Sequence, residues 1–143
     1  MSLVDTLERL WCSPTIRVLA PDLAPYLAEA RRATHTPVIL ESPYCDAPPE
    51  YVHDCIADSL RRGEAPIASH VLYTTALDDA VWGEREAGIS AGFAWRVFAA
   101  RTVVYTDLGI SSGMRFGIEH AESIGQEIVY RSLPEWCTGR ADQ

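Results

Sequence analysis

The sequence predicts an α/β protein of three layers, a parallel sheet with helices on both faces. Two observations carry this reading. From Pro37 onward, short apolar runs alternate with amphipathic segments in the order strand, helix, strand, helix, strand, helix, strand. The first of these runs, Val38-Ile39-Leu40, is also too short and too apolar for anything but a strand buried on both faces. With 143 residues, 48% of them apolar, the chain is long enough for one domain with a sizeable core.

Residues 1–36 read as an N-terminal helical extension. Leu3, Leu7, Leu10 and Trp11 recur at helical spacing until Pro14, and a second helix runs from the N-cap Asp22 through Leu23, Tyr26, Leu27 and Ala30 to Arg31 and Arg32. Val38-Ile39-Leu40, bounded by Pro37 and Pro43, is the first strand. Pro48-Pro49 open a helix with Val52, Cys55, Ile56 and Leu60 on one face, which Gly63 closes at its C′ position. Pro66-Ile67-Ala68 is the second strand, ending at Ser69-His70. A loop through Asp78 and Asp79 leads into a long helix, Glu84 to Ala100, striped by Ala87, Ala91, Ala94 and Phe98. In that helix Gly88 and Gly92 leave room for another backbone to approach closely. Thr102 to Tyr105 is the third strand, the turn from Asp107 to Gly113 enters a helix carrying Met114, Ile118 and Ala121, and Glu127 to Arg131 is the fourth strand. The α/β domain therefore spans 37–131, in the manner of open Rossmann- and flavodoxin-like sheets, and 132–143 read as a loose tail.

Twelve Lys+Arg against twenty Asp+Glu leave a net charge of −8. An acidic surface of this size repels phosphate backbones and anionic lipid, which argues against a nucleic acid polymer or a membrane as partner. The N-terminus has no basic region followed by an apolar run, and no stretch approaches the roughly 20 apolar residues of a membrane span, so the expected location is cytoplasmic. Cys12, Cys45, Cys55 and Cys137 match neither a C-x-x-C pair nor a zinc spacing, and read as buried or idle thiols. No metal and no cofactor is expected.

In open parallel sheets, ligands bind beyond the carboxyl ends of the strands where strand order reverses. That rule selects Glu41-Ser42-Pro43-Tyr44, Ser69-His70 and Asp107 to Gly113. In the last of these, Ser111 or Ser112 can cap the helix while Gly113 admits a ligand close to the backbone, so free N–H groups can hold a phosphate; an ordinary N-cap needs the same residues. His70 at the rim can donate to a phosphate or a leaving base, or serve as a capping or core histidine. Asp107 is aimed at the cleft, or forms a turn; Tyr44 and Tyr73 can stack on a base, or pack. His35, His53 and His120 have no partner spacing and read as structural. Glu84 lies near the centre of its helix stripe and Glu86 roughly 200° from it, and each suits either a pocket or the first turn of a helix.

Four segments in order carry a resemblance. They are Val38-Ile39-Leu40-Glu41-Ser42-Pro43-Tyr44, Pro66-Ile67-Ala68-Ser69-His70, Leu77-Asp78-Asp79 with Glu84-Arg85-Glu86-Ala87-Gly88-Ile89, and Gly109-Ile110-Ser111-Ser112-Gly113-Met114. From Pro37 to Arg131 the chain resembles the nucleoside 2-deoxyribosyltransferase-like superfamily, and within it a branch of small bacterial and phage proteins. The resemblance implies cleavage of the N-glycosidic bond of a small nucleoside or nucleotide, by hydrolysis or by transfer of the sugar to another base. It implies that Ser42 and Tyr44 hold the sugar, that Glu84 or Glu86 supplies a carboxylate, and that His70 assists the base. Ser111, Ser112 and Gly113, with Met114 beside them, would receive the 5′ end, and Asp107, which sheet topology rather than the resemblance aims at the cleft, would face the substrate.

One position departs from the pattern. Relatives carry a nucleophilic Glu where this chain has Gly117. Glu119, two positions on, is turned through roughly 200° onto the solvent side of the helix and does not replace it. The alternative reading is therefore a non-catalytic nucleotide-binding sensor that has lost the nucleophile. A structural interaction domain is a third, should the N-terminal helices close the cleft. A homo-oligomer is expected, because the long helix is apolar on two faces and the N-terminal helices add apolar surface.

Overall fold

A computed structural model describes residues 35–137. The two N-terminal helices read from the sequence, and Cys12 with them, lie outside these residues. The element order is β1 (Thr36–Glu41), α1 (Pro49–Arg61), β2 (Glu64–Ile67), α2 (Ser69–Tyr73), α3 (Trp82–Ala94), a 3₁₀ turn (Trp95–Phe98), β3 (Arg101–Tyr105), α4 (Ser112–Ser123), β4 (Glu127–Arg131) and α5 (Pro134–Cys137). All strand pairs are parallel and the sheet runs β2-β1-β3-β4, which is the α/β architecture the alternation predicts.

The apolar strands are central because they are covered on both sides. Val38 and Leu40 point to one face, where they join Tyr51 and Cys55 of α1, Val103, Tyr105 and Leu133 in one buried cluster. On the other face Val104 packs with Met114 and Ile118 of α4. Since side chains alternate along a strand, Ile39 and Glu41 share the face opposite Val38 and Leu40. No described helix is long and apolar enough to cross a membrane.

Several elements differ from expectation, each for a local reason. β2 starts at Glu64, two residues before Pro66, because Thr36 on β1 pairs with Glu64. Ser69 and His70 open the short helix α2 instead of ending the strand. In α1 the buried side is Tyr51, Val52, Cys55 and Ser59, while Leu60 is exposed, because the Ser59 hydroxyl has a buried carboxylate to bond, donating to Glu64 at 2.8 Å.

The long helix breaks after Ala94 into the 3₁₀ turn, and its inward face is not the alanine stripe. Ala87, Ala94 and Phe98 are exposed, whereas Gly92 and Arg96 are buried. The glycines decide the orientation: a Cβ on Gly92 would lie 2.6 Å from Ser69 Oγ, and one on Gly88 would lie 3.4 Å from Leu77 Cδ1. α3 turns its glycines toward α2 and the loop after it, as Gly88 and Gly92 suggested.

The tail is not loose up to Cys137. Leu133 is buried in the core, its N–H donates to Asp107 at 2.9 Å, and the Trp136 ring stands edge-on to Tyr51 at 4.9 Å. Trp136 also donates to Asp54 at 2.9 Å.

Candidate functional site

β1 lies between β2 and β3, so strand order reverses at its carboxyl end. A cavity of about 370 Å³ opens there, the size of a small-molecule site. Its walls come from the residues after β1, from α2 and the loop after it, from α3 with its 3₁₀ extension, and from the first turns of α4.

Most of the residues singled out in the sequence meet here. Ser42, Tyr44, His70, Glu84, Ser111, Ser112, Gly113 and Met114 all line the cavity. Two do not. Glu86 is exposed and lies outside the lining, because α3 turns its Gly88 and Gly92 side inward and Glu86 falls on the other side. Asp107 lies outside it too, and accepts bonds from Tyr51 Oη (2.8 Å) and the Leu133 N–H on the α1 side of the sheet, where it pins the tail. Glu119 is exposed, as its helical angle indicates.

Ser42 is 3% exposed and shares a 3.0 Å hydrogen bond with His70 Nε2. His70 Nδ1 is buried without a hydrogen-bond partner. Burial lowers the His70 pKa to about 4, so the ring is neutral at physiological pH. Tyr44, at the mouth of the cavity, meets the His70 ring edge-on at 6.0 Å.

At the other end of the cavity, Ser111 caps α4 by accepting the Met114 N–H at 3.3 Å, and the Ser111 N–H turns to Met114 Sδ at 3.4 Å. Ser112 and Gly113 form the first turn of this 12-residue helix, where unpaired N–H groups and the helix dipole favour an anion. A cation stands beside them: a Cβ on Gly113 would lie 3.9 Å from Arg85 Nη2. Arg85 is steadied by Asp79, to which Nη1 donates at 2.7 Å. Glu84 accepts the Asp78 N–H at 2.6 Å and so ties the preceding loop to the start of α3.

Inspection of motifs overlooked the buried ion pair of Glu41 and Arg96. Glu41 Oε1 accepts from Arg96 Nη2 at 2.5 Å, with the two side chains 13% and 2% exposed. Arg96 Nη1 donates to Thr102 Oγ1 at 2.5 Å, and Thr102 donates onward to Gln126 at 2.7 Å. Desolvation raises the Glu41 pKa to about 7, against the opposing pull of Arg96. A sequence signal for both existed. Glu41 ends an otherwise apolar strand, and Arg96 is the one charged residue between Glu86 and Arg101. Arg85 and Asp79 lie in one of the four segments that carry the resemblance, which assigns neither a role.

Among the described residues no group of three His, Cys, Asp or Glu is placed to hold a metal ion. The arrangement instead combines an anion-favouring helix end with an arginine, an aromatic edge, a neutral histidine bonded to a serine, and a buried carboxylate in one cavity.

No curated protein and no solved structure matches the chain. A family model described as "Domain of unknown function (DUF7768)" matches residues 36–131, from the first residue of β1 to the last of β4, and the chain belongs to that family.

Proposed function

We propose that the chain binds a nucleoside 5′-monophosphate, or a similarly small nucleotide, in this cavity and cleaves its N-glycosidic bond, passing the sugar to water or to another base. The observation that carries the reading is that one cavity of about 370 Å³ is lined by an anion-favouring helix end, a buried carboxylate and the Ser42 hydroxyl. The phosphate sits at Ser111, Ser112 and Gly113, with Arg85 as its counter-charge. Ser42 holds a sugar hydroxyl, and Tyr44 and His70 border the base. Cleavage passes through an oxocarbenium-like centre, which needs a carboxylate within reach, and the cavity wall contains several.

The test is incubation with ribo- and deoxyribonucleoside 5′-monophosphates, with and without acceptor bases, followed by chromatography for free base. Release of base from at least one of them is expected, and silence from all of them rejects the enzymatic reading. Arg85→Ala is expected to weaken binding of the monophosphate about tenfold while leaving the parent nucleoside unchanged. The ion pair that ties Glu41 to Arg96 favours one second reading, a nucleotide-binding sensor without turnover. Thermal stabilisation by a nucleotide that is never cleaved selects it.

A further inference from the structure

We propose that Glu41 is the catalytic carboxylate of the cavity, delivered from the end of β1 into the space that Gly117 leaves open on α4. This rests on the glycosidic-cleavage reading above and names the group that would carry it.

Space makes the first argument. A Cβ at position 117 would overlap Glu41 Oε1 and lie 2.6 Å from Glu41 Cδ and 2.9 Å from Arg96 Nη2. No side chain larger than hydrogen fits while Glu41 keeps its place. Gly117 is buried in the middle of α4, where glycine costs about 1 kcal/mol relative to alanine. Glycine at this position thus gives up helix propensity and leaves the carboxylate opposite it the room it occupies.

Elimination makes the second. The other carboxylates of the lining lie less deep: Asp46 is exposed, the Asp79 side chain is 37% exposed beside Arg85, and Glu84 is half-buried and holds a loop N–H. Glu41 is the carboxylate of the lining that is both deeply buried and fixed, since its partner Arg96 is held in turn by Thr102 and Gln126, with Gln126 Nε2 donating to the Arg96 carbonyl at 3.0 Å. A carboxylate poised near neutrality by burial exchanges protons under working conditions, as a general base must.

The step balances with water alone. The C1′–N bond breaks and its electron pair leaves with the base. Water adds its oxygen to C1′ and gives one proton to Glu41, which passes it to the nitrogen of the departing base and returns to carboxylate.

The experiment compares the parent, Glu41→Gln, Glu41→Ala, and Glu41→Ala combined with Gly117→Glu, by base release from the nucleotide panel and by calorimetric binding of the same nucleotides. Glu41→Gln is expected to lose at least about a hundredfold in kcat with Kd within about threefold. The Gly117→Glu pair is expected to recover at least about tenfold over Glu41→Ala, and carries the test if the single variants fold poorly. Base release by the parent together with a Glu41→Gln kcat within tenfold of it overturns the assignment and leaves the glycosidase reading intact. No base release by the parent removes both.

Discussion

His70 and Glu41 are titratable groups of one cavity that burial shifts in opposite senses. His70 falls from 6.5 to about 4, so between those values the unfolded chain binds a proton that the folded chain refuses, and its contribution to stability is lost as pH falls. Glu41 rises from 4.5 to about 7, so over that range the folded chain holds a proton that the unfolded chain releases, and its contribution is lost as pH rises. Between pH 4.5 and 6.5 the two slopes offset each other. Relative to the parent, Glu41→Gln should lose stability on acidification across this window, and His70→Gln should gain it, each at up to about 1.4 kcal/mol per pH unit. Urea unfolding at a series of pH values measures this, and parallel profiles for all three proteins would refute it. At this scale the sequence was informative about Ser42, Tyr44, His70 and Ser111 to Met114, because strand ends and caps are local features. It set Glu41 at the rim but did not show that Arg96 pairs with it, since the two are 55 positions apart.

At the scale of elements, the packing of α3 on α2 rests on glycine. Replacing glycine by alanine inside a helix ordinarily stabilises by about 1 kcal/mol. At Gly92 the new methyl would meet Ser69 Oγ at 2.6 Å and Ser69 Cβ at 3.1 Å, while at Gly88 it would meet the end of the Leu77 side chain at 3.4 Å. Gly92→Ala should therefore cost about 1–3 kcal/mol, with partial recovery when Ser69→Ala is added, and Gly88→Ala should be neutral or stabilising. Thermal melts of the four proteins decide it, and a Gly92→Ala variant as stable as Gly88→Ala would contradict the packing described. The same contact turns the alanine stripe away from the core. Periodicity locates apolar side chains, but here the buried face is the one with least side chain.

At the scale of the whole molecule, Arg131 at the end of β4 reaches Glu64 at the start of β2, on opposite edges of the sheet, through paired bonds of 2.7 Å. Their side chains are 10% and 7% exposed, and Arg131 holds the Glu64 carboxyl below its ordinary range. Glu64→Ala should cost about 3–5 kcal/mol, because it strands a buried guanidinium, and adding Arg131→Met should return part of that loss. Equal stability of the single and double variants in urea would show that the pair is not coupled. A second expectation concerns assembly. Trp82, Val97 and Phe98 are 71%, 64% and 49% exposed, and apolar surface of this kind on α3 and its 3₁₀ extension favours self-association. Light scattering should give a multiple of 15.8 kDa, and the mass of a single chain would refute it.

The parallel α/β class and the place of its four strands along the chain follow from the sequence alone, since strands alternate with amphipathic helices and the central strands, buried on both faces, write apolar runs into local composition. The end of the sheet at which the cavity opens follows as well, because topology places it. Which side of α3 turns inward, how far the tail is anchored, and which carboxylate of the cavity wall is the buried one were settled only by tertiary packing. Each depends on groups distant in sequence competing for the same space: Gly92 against Ser69, Leu133 with Asp107, and Glu41 in the room beside Gly117.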